Sequence, residues 1–256
     1  MQATNPVLEV NNLSISFGGL RAVDDFSVTI NEGELYGLIG PNGAGKTTAF
    51  NLLTGVYKPN EGIIKLCGED ITGKSTIDIN KAGIARTFQN IRLFNKLSVI
   101  DNVKTGMFNL HEYSIADTIF HTKKKRENEK QIEEKAEELL KIFHLYDSKD
   151  IEASSLPSGA QRRLEIARAL ASDPKLLLLD EPAAGMNPQE TEELMNTIRF
   201  VRDKFNISIL LIEHDMSLVM NICERIYVLN YGMLLAKGSP DEIKKNEKVI
   251  KAYLGE

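Results

Sequence analysis

The alternation of apolar and polar residues predicts strands in the first part of the chain. VLEVNNLSISF and FSVTI alternate apolar with polar positions, which is typical of half-buried strands. ELYGLIG then ends at a glycine-rich turn, and KTTAFNLLTG follows with the spacing of a helix and a closing glycine. The pattern therefore predicts N-terminal strands followed by a strand–loop–helix unit.

From about residue 87 to residue 163 the pattern becomes helical. LSVIDNVKTGMF has helical spacing, and TKKKRENEKQIEEKAEELLKIFHL is a long charged helix with apolar residues every three or four positions. In this helix Lys130 and Lys135 offset Glu134 and Glu138. Because acids and bases are mixed rather than segregated, the run is typical of a solvated helix face and not of a nucleic-acid site.

The last third returns to strands and helices in alternation. KLLLLD and ISILLIEHD contain continuous apolar runs, as expected of parallel strands covered on both faces. NPQETEELMNTIRFVRDKF and MSLVMNICE read as helices, RIYVLN and MLLAKG as strands. A last helix is predicted after Ser239, with Pro240 in its first turn and Glu242 completing a capping box. The pattern predicts an α/β core with a helical insertion near its middle.

Composition narrows the class of protein without identifying it. The 256 residues are 42% hydrophobic and 26% charged, as in ordinary globular domains. The net charge of −5 argues against general affinity for nucleic acid. Cys67 and Cys223 are far apart and indicate neither a disulfide framework nor a metal site, so we expect a reducing cytoplasm. We expect no signal peptide, and the apolar runs are too short to cross a bilayer.

A glycine-rich segment carries the first candidate chemistry. GPNGAGKT fits G-x-x-x-x-G-K-[ST] and lies between a predicted strand and a predicted helix, which is the context this motif requires. Its backbone N–H groups would surround phosphate oxygens, its lysine would reach the β- and γ-phosphates, and its threonine hydroxyl would face Mg²⁺. The alternative is a glycine-rich turn with an unrelated lysine. The candidate nucleotide-binding residues are Gly40, Pro41, Asn42, Gly43, Ala44, Gly45, Lys46, Thr47 and Thr48.

Two further strands end in residues with catalytic potential. Asp180 and Glu181 follow LLLL just past a buried strand, and His214 ends the next one. In an open parallel sheet ligands bind outside the carboxyl ends of the strands. There one acid can hold Mg²⁺ and the other can polarise an attacking water. By themselves, the two acids would more often cap a helix, and a single histidine is more often structural.

Together these motifs resemble the nucleotide-binding subunit of ABC transporters, and the resemblance covers nearly all of the chain. It implies an α/β fold with a P-loop NTPase core of the ABC ATPase type, an N-terminal antiparallel β region and an inserted helical subdomain. It also implies one ABC ATP-binding domain over residues 1–256, with the core in 1–88 and 164–256 and the helical signature subdomain in 89–163. ATP and Mg²⁺ are the expected ligands.

The resemblance also assigns roles residue by residue. Glu181 corresponds to the catalytic glutamate, Gln89 in TFQN to the glutamine loop and His214 to the switch histidine. Phe17 stands where the family stacks an aromatic ring on adenine, and Val23 would flank that ring. The implied metal-holding residues are Thr47, Gln89 and Asp180.

The family signature L-S-G-G-Q corresponds to LPSGA here, followed by QRRLEIARAL. The resemblance implies that Ser158 and Gly159 contact ATP held by the partner subunit. Asn187 stands where the partner-contacting loop usually carries aspartate. The signature matches at Leu156 and Gly159 and departs at Pro157, Ser158 and Ala160.

The departures and the closing AYLGE resemble the ATPases of branched-chain amino-acid (Liv-type) importers, and the insertion around residues 105–130 resembles the larger of the two. The resemblance implies membrane permease subunits docking near residues 90–99, a second ATPase subunit forming a homo- or heterodimer, and indirectly a substrate-binding protein. The chain would lie peripherally on the cytoplasmic face of the membrane and bind no nucleic acid. Alternatives are a lipid-export ATPase, a non-transport ABC ATPase acting on nucleic acid or ribosomes, and a nucleotide-binding scaffold without turnover.

Overall fold

The computed structural model describes residues 6–110 and 123–254. Its strands are β1 (Pro6–Phe17), β2 (Leu20–Asn31), β3 (Leu35–Ile39), β4 (Glu61–Leu66), β5 (Glu69–Asp70), β6 (Ile84–Arg86), β7 (Leu176–Asp180), β8 (Ser208–Ile212), β9 (Arg225–Asn230) and β10 (Met233–Gly238). Its α-helices are α1 (Lys46–Leu53), α2 (Thr76–Ala82), α3 (Val99–Gly106), α4 (Lys123–Ile142), α5 (Ser158–Leu170), α6 (Pro188–Phe205), α7 (Met216–Ile222), α8 (Pro240–Lys244) and α9 (Glu247–Leu254).

The N-terminal strands form an antiparallel sheet in the order β2-β1-β4-β5. Strands β1 and β2 make a hairpin in which Phe17 pairs with Leu20 across two glycines, Gly18 and Gly19, whose φ values are both positive. The predicted antiparallel β region is therefore present. Strand β2 begins at Leu20 and not at Phe26, because the charged residues between them hide the alternation in the sequence.

The second sheet has six strands in the order β10-β9-β3-β8-β7-β6 and is parallel except for the edge strand β10. Every residue of β3, β7 and β8 is buried, which explains their continuous apolar runs. Leu38 of β3 and Asp180 of β7 both pair with Ile212 of β8. The carboxyl ends of these three strands therefore reach the same edge of the sheet.

The core occupies both faces of this parallel sheet. Along β3 the side chains alternate, so that Tyr36 and Leu38 pack with the antiparallel sheet and α1, whereas Leu35 and Ile39 pack with the helical side. The helical side includes apolar residues of α3 to α7, among them Leu164 of α5. Each loop at the carboxyl edge thus leaves from a strand fixed on both faces.

The helical region is held by a close approach of α3 and α5. A Cβ on Gly106 at the end of α3 would lie 2.2 Å from the carbonyl oxygen of Arg168, so only glycine allows this packing. Helix α5 is continuous from Ser158 to Leu170, so the expected boundary between residues 163 and 164 falls inside it. Residues 111–122 of the expected insertion lie outside the described residues.

Other differences from the sequence pattern lie in short elements. Strands β4, β5 and β6 and helix α2 have two to seven residues each, which is too short for a repeated pattern to be recognised in the sequence. Asp180 is the last residue of β7 and does not follow the strand.

The capping box of α8, with Ser239 and Glu242, forms as predicted. Among the described residues no helix combines the length and the apolar character needed to cross a membrane.

Candidate active site

The glycine-rich segment forms a tight loop between β3 and α1. Gly40, Gly43 and Gly45 all have positive φ, at 154°, 77° and 101°. A Cβ on Gly40 would lie 2.1 Å from the carbonyl oxygen of Leu229, and a Cβ on Gly45 would lie 2.7 Å from that of Ala22. Gly40 and Gly45 therefore need glycine for conformation and for space, and Gly43 needs it for conformation alone, so the spacing of the motif has a direct structural cause.

Lys46 begins α1 and folds back across this loop. Its side chain is buried, and Nζ donates hydrogen bonds to the carbonyl oxygens of Gly40 at 2.7 Å and Pro41 at 3.0 Å. Burial lowers the pKa of Lys46, and the nearby carboxylates of Glu181 and Asp180 partly offset this effect. The lysine charge thus lies inside the loop, where a phosphate would meet both the ammonium and free backbone N–H groups.

The remaining loop residues differ in how accessible they are. Asn42 and Thr47 are exposed, Pro41 and Thr48 are half-buried, and Ala44 is buried. Thr47 is therefore accessible to solvent in the first turn of α1.

The metal-holding candidate Asp180 is paired with Arg86, a residue that sequence analysis missed. Asp180 Oδ2 lies 2.8 Å from Arg86 Nη2, and both side chains are buried. Arg86 Nη1 also donates to Asn51 Oδ1 at 2.7 Å, and it lies 3.3 Å from Thr54 Oγ1. Arg86 ends β6 and therefore joins that strand to β7 and to α1.

Glu181, Gln89 and His214 come together from three separate loops. Gln89 Nε2 donates to Glu181 Oε2 at 2.9 Å, and His214 Nε2 lies 2.7 Å from Glu181 Oε1. Glu181 has a φ of 48°, in the left-handed region that non-glycine residues rarely adopt, and its backbone N–H is bonded to Ile212. Such an outlier at this position is consistent with a functional constraint.

Glu213, also missed in the sequence, fixes the segments on either side of Glu181. Its buried carboxylate accepts the backbone N–H of Ala183 at 2.9 Å and that of His214 at 3.2 Å. Burial raises the pKa of Glu213, the two backbone hydrogen bonds lower it, and Glu181 raises it further. The sequence signal was an acid at the end of the apolar run ILLI.

Phe17 ends β1 and is 43% exposed, as an aromatic platform for a base would require. Its aromatic neighbour is Tyr57, with ring centroids 5.1 Å apart and planes at 68°. Val23 is fully buried, and its Cγ2 lies 3.6 Å from the position of a Cβ on Gly45. Val23 therefore supports the loop from within the core.

The signature segment begins α5. Ser158 is the first helical residue and is exposed, whereas Gly159 is buried, and a Cβ on it would lie 2.8 Å from Glu190 Oε1. Glu190 belongs to the capping box of α6, which Asn187 begins. The starts of α5 and α6 thus pack together within one chain, and Pro157 provides no side-chain cap for α5.

The donor set suits a nucleotide with Mg²⁺ better than a metal held by protein alone. The described residues contain no group of three or more His, Cys, Asp or Glu side chains placed to hold a metal ion. Mg²⁺ is usually held by one or two protein oxygens together with waters and substrate phosphates. The Thr47 hydroxyl and the Asp180 carboxylate beside the loop fit that requirement.

Comparison with known proteins decides the family. A family model described as ABC transporter matches residues 23–184, which is well over half of the chain. The chain belongs to the ABC transporter family. A second family model, described as branched-chain amino acid ATP-binding cassette transporter, matches residues 233–256.

Individual relatives agree with this ABC assignment over the whole chain. A high-affinity branched-chain amino acid transport ATP-binding protein of Salmonella typhimurium is 46% identical over 253 residues, 99% of each chain. The ATP-binding protein of the lipopolysaccharide export system of Escherichia coli is 37% identical over 249 residues, 97% of each chain. A crystal structure of an ATP-binding cassette of an ABC transporter, in its ADP conformation, matches with a TM-score of 0.85 at 32% identity and covers 98% of this chain and 99% of that chain.

The predicted family and fold class are therefore confirmed. The prediction that the chain is an ATPase of the transport-coupled ABC class is confirmed with them. The contacts above bring the predicted site residues of β3, β7 and β8 together at one edge of the sheet. The roles of the individual residues stay predictions.

Proposed function

We propose that this chain is the ATP-hydrolysing subunit of a membrane importer for branched-chain amino acids. One observation supports the ATPase activity above the others. Glu181 contacts both Gln89 and His214, and these residues lie beside a glycine-rich loop with a buried lysine. The similarity to amino-acid transport ATPases and the C-terminal match support the substrate class.

In the proposed mechanism the carboxylate of Glu181 orients a water and accepts its proton during in-line attack on the γ-phosphate. Gln89 and His214 hold that carboxylate from two sides and would position the water and the γ-phosphate. Lys46 would exchange its bonds to loop carbonyl oxygens for bonds to phosphate. Thr47 and Asp180 would hold Mg²⁺, which supplies positive charge to the phosphates when bound.

The proposal includes a second ATPase subunit, either a copy of this chain or a related one. The first N–H groups of a helix have no partner within the helix and suit an anion. In this proposal the start of α5, with the exposed Ser158, faces ATP bound by the second subunit. Gly159, which the sequence also predicted to contact this ATP, is buried against Glu190 and instead allows α5 to approach α6. Closure of the dimer on ATP and its reopening after hydrolysis would then drive transport.

The membrane partners would be permease subunits that contact residues 90–99, where Phe94 and Leu97 are exposed apolar side chains. A substrate-binding protein would act on the permeases and only indirectly on this chain. In this arrangement the chain lies peripherally on the cytoplasmic face of the membrane and has no nucleic-acid partner.

Lipid export is the second candidate, because the chain is also similar to a lipopolysaccharide export ATPase. Its identity to that protein is lower than to the amino-acid transport ATPase. The C-terminal family match, over residues 233–256, also favours amino-acid import.

The test is complementation of a strain that lacks the gene, with uptake of labelled leucine, isoleucine and valine as the readout. We expect the parental chain to restore uptake and Glu181→Gln not to, with ATP hydrolysis reduced about 10²- to 10⁴-fold by loss of the positioned base. Glu192→Gln, an equivalent change on the exposed face of α6, should behave as the parent. Unchanged amino-acid uptake together with a defect in lipid export would support the second candidate instead.

A further inference from the structure

Two side chains of helix α5 form hydrogen bonds with the backbone around Gln89. Arg162 donates from Nη1 to the carbonyl oxygen of Phe88 at 2.5 Å and from Nη2 to that of Gln89 at 2.6 Å. Glu165 Oε1 accepts the backbone N–H of Phe88 at 3.4 Å and that of Arg92 at 3.1 Å. Arg162 Nη1 and Glu165 Oε2 also pair at 2.9 Å, so one ion pair binds both donors and acceptors of the loop.

Because the two side chains are buried, their hydrogen bonds to the loop are costly to break. The side chains of Arg162 and Glu165 are only 4% and 1% exposed. Turning either side chain away from the loop would leave a buried charge without its partners, which is strongly unfavourable. Residues 87–98 form no helix or strand between β6 and α3. No regular element within this segment therefore competes with its hydrogen bonds to α5.

The core holds this loop at its start, where the backbone N–H of Thr87 donates to the carbonyl oxygen of Leu178 at 3.0 Å, and through Gln89 Nε2, which donates to Glu181 Oε2 at 2.9 Å. The ring of Phe88 lies between the guanidinium groups of Arg86, at 5.1 Å from the centroid, and Arg92, at 4.1 Å. Of these, only Arg86 belongs to the core, through its bond to Asp180. Beyond Thr87 these core contacts are made by side chains, whereas α5 holds the backbone of residues 88–92 through four charge-assisted hydrogen bonds. When α5 moves relative to the core, residues 88–92 should therefore follow α5.

We propose that Arg162 and Glu165 are positioning residues that couple the start of α5 to Gln89. A displacement of α5 would carry the Gln89 backbone with it and change the contact between Gln89 and Glu181. This inference rests on the proposed function, because it describes how ATP held at the start of α5 regulates the same catalytic site. The sequence RRLEIARAL thus contains a coupling device in addition to the helix that presents the signature.

The experiment measures ATP hydrolysis and amino-acid uptake on the same transporter, reconstituted in lipid vesicles with its membrane subunits, its second ATPase subunit and the substrate-binding protein. In Glu165→Gln and Arg162→Gln we expect uptake per ATP hydrolysed to fall about tenfold, which is within the range for residues that carry coupling. ATP affinity of the purified chain should stay at the parental value, because the phosphate loop is untouched. Uptake per ATP at the parental value in both variants would overturn the proposal.

A double variant separates coupling from stability. Arg162→Met with Glu165→Leu removes both buried charges at similar volume, a change that is often neutral or stabilising. We expect its melting temperature to return toward the parental value while uptake per ATP stays low, because apolar side chains make no hydrogen bonds to residues 88–92. Recovery of both quantities together would mean that the pair is only structural. If the double variant does not fold, the Glu165→Gln result decides.

Glu137→Gln is the matched control in the helical region. Glu137 pairs with Lys149 at 2.7 Å and makes no contact with the glutamine loop among its hydrogen bonds and ion pairs in the described residues. This variant should keep the parental uptake per ATP. A parental transporter whose ATP hydrolysis does not respond to amino acids would contradict the proposed function itself, and this result is distinct from a failure of coupling in the variants.

Discussion

At the scale of single residues, the charged side chains of the site depend on partners that lie far away in the sequence. Arg86 and Asp180 are separated by 94 positions, yet they form one buried ion pair. Asn51 and Thr54 hold the other end of the guanidinium, so Asp180 is oriented by a group that is itself fixed. A carboxylate held in one orientation is better prepared to receive a metal ion than a mobile one.

This pair leads to a prediction about stability. Arg86→Gln would leave Asp180 buried without its cation, and breaking a buried pair in this way typically costs about 3–5 kcal/mol. Arg21→Gln is the control, because Arg21 is half-exposed and pairs with Glu61 at 3.3 Å on the surface, where such pairs contribute about 0–1 kcal/mol. Denaturant unfolding of both variants measures the difference. Equal losses would contradict the view that burial makes the Arg86 pair important.

At the scale of elements, a strand could be predicted where the burial of its residues leaves a pattern of apolar residues in the sequence. Strands β7 and β8 were predicted correctly because both of their faces are buried and every residue is consistent with that. Strand β4 was missed because the buried Ile64 and Leu66 follow an exposed isoleucine, Ile63, which hides the alternation of burial in the sequence. The meeting of Asp180, Glu181 and His214 was predictable, since parallel strands end at one edge.

The partners of these residues could not be predicted in the same way. Arg162 lies on α5, and its loop contacts at Phe88 and Gln89 are 74 and 73 positions away. Glu213 and Ala183 are 30 positions apart. Pairing over such distances leaves no periodicity, and only the fold brings the groups together.

The contact between the starts of α5 and α6 gives the prediction at this scale. Gly159→Ala would place a Cβ 2.8 Å from Glu190 Oε1 and so disturb the capping box of α6, at a cost of about 0.5–2 kcal/mol, as for loss of a cap. In a Glu190→Ala background the same change should be neutral or slightly stabilising, because alanine is the better helix residue. Unfolding free energies of the four proteins form a double-mutant cycle. Additive effects would show that Gly159 is not constrained by Glu190.

At the scale of the whole molecule, the candidate site presents two surfaces that one chain leaves open. The phosphate loop, with Thr47 exposed, lies at the carboxyl edge of the parallel sheet, and Ser158 is exposed at the start of α5. Gly159 is buried against Glu190, whereas Pro157 and Ser158 are exposed, and of these two Ser158 has the side chain that can form a hydrogen bond with a second subunit's ATP. Because Gly159 is buried, a Gly159→Asp variant would disturb α6 as well as any dimer, and Ser158 is the better position for a test.

Ser158 therefore provides a test of whether the start of α5 lies in the dimer interface. In the Glu181→Gln background ATP should accumulate at the site, and ATP with Mg²⁺ should convert the monomer into a dimer, measured by sedimentation. Ser158→Ala should weaken the dimer by about 0.5–1.5 kcal/mol per hydrogen bond lost, and Ser158→Asp should abolish it by placing a negative charge against the partner's phosphate. The aspartate does not harm α5 itself, because acids stabilise the first turn of a helix. Thr76→Asp, at the exposed first position of α2, is the matched control and should leave the dimer intact. Full dimerisation of Ser158→Asp would exclude the start of α5 from the interface.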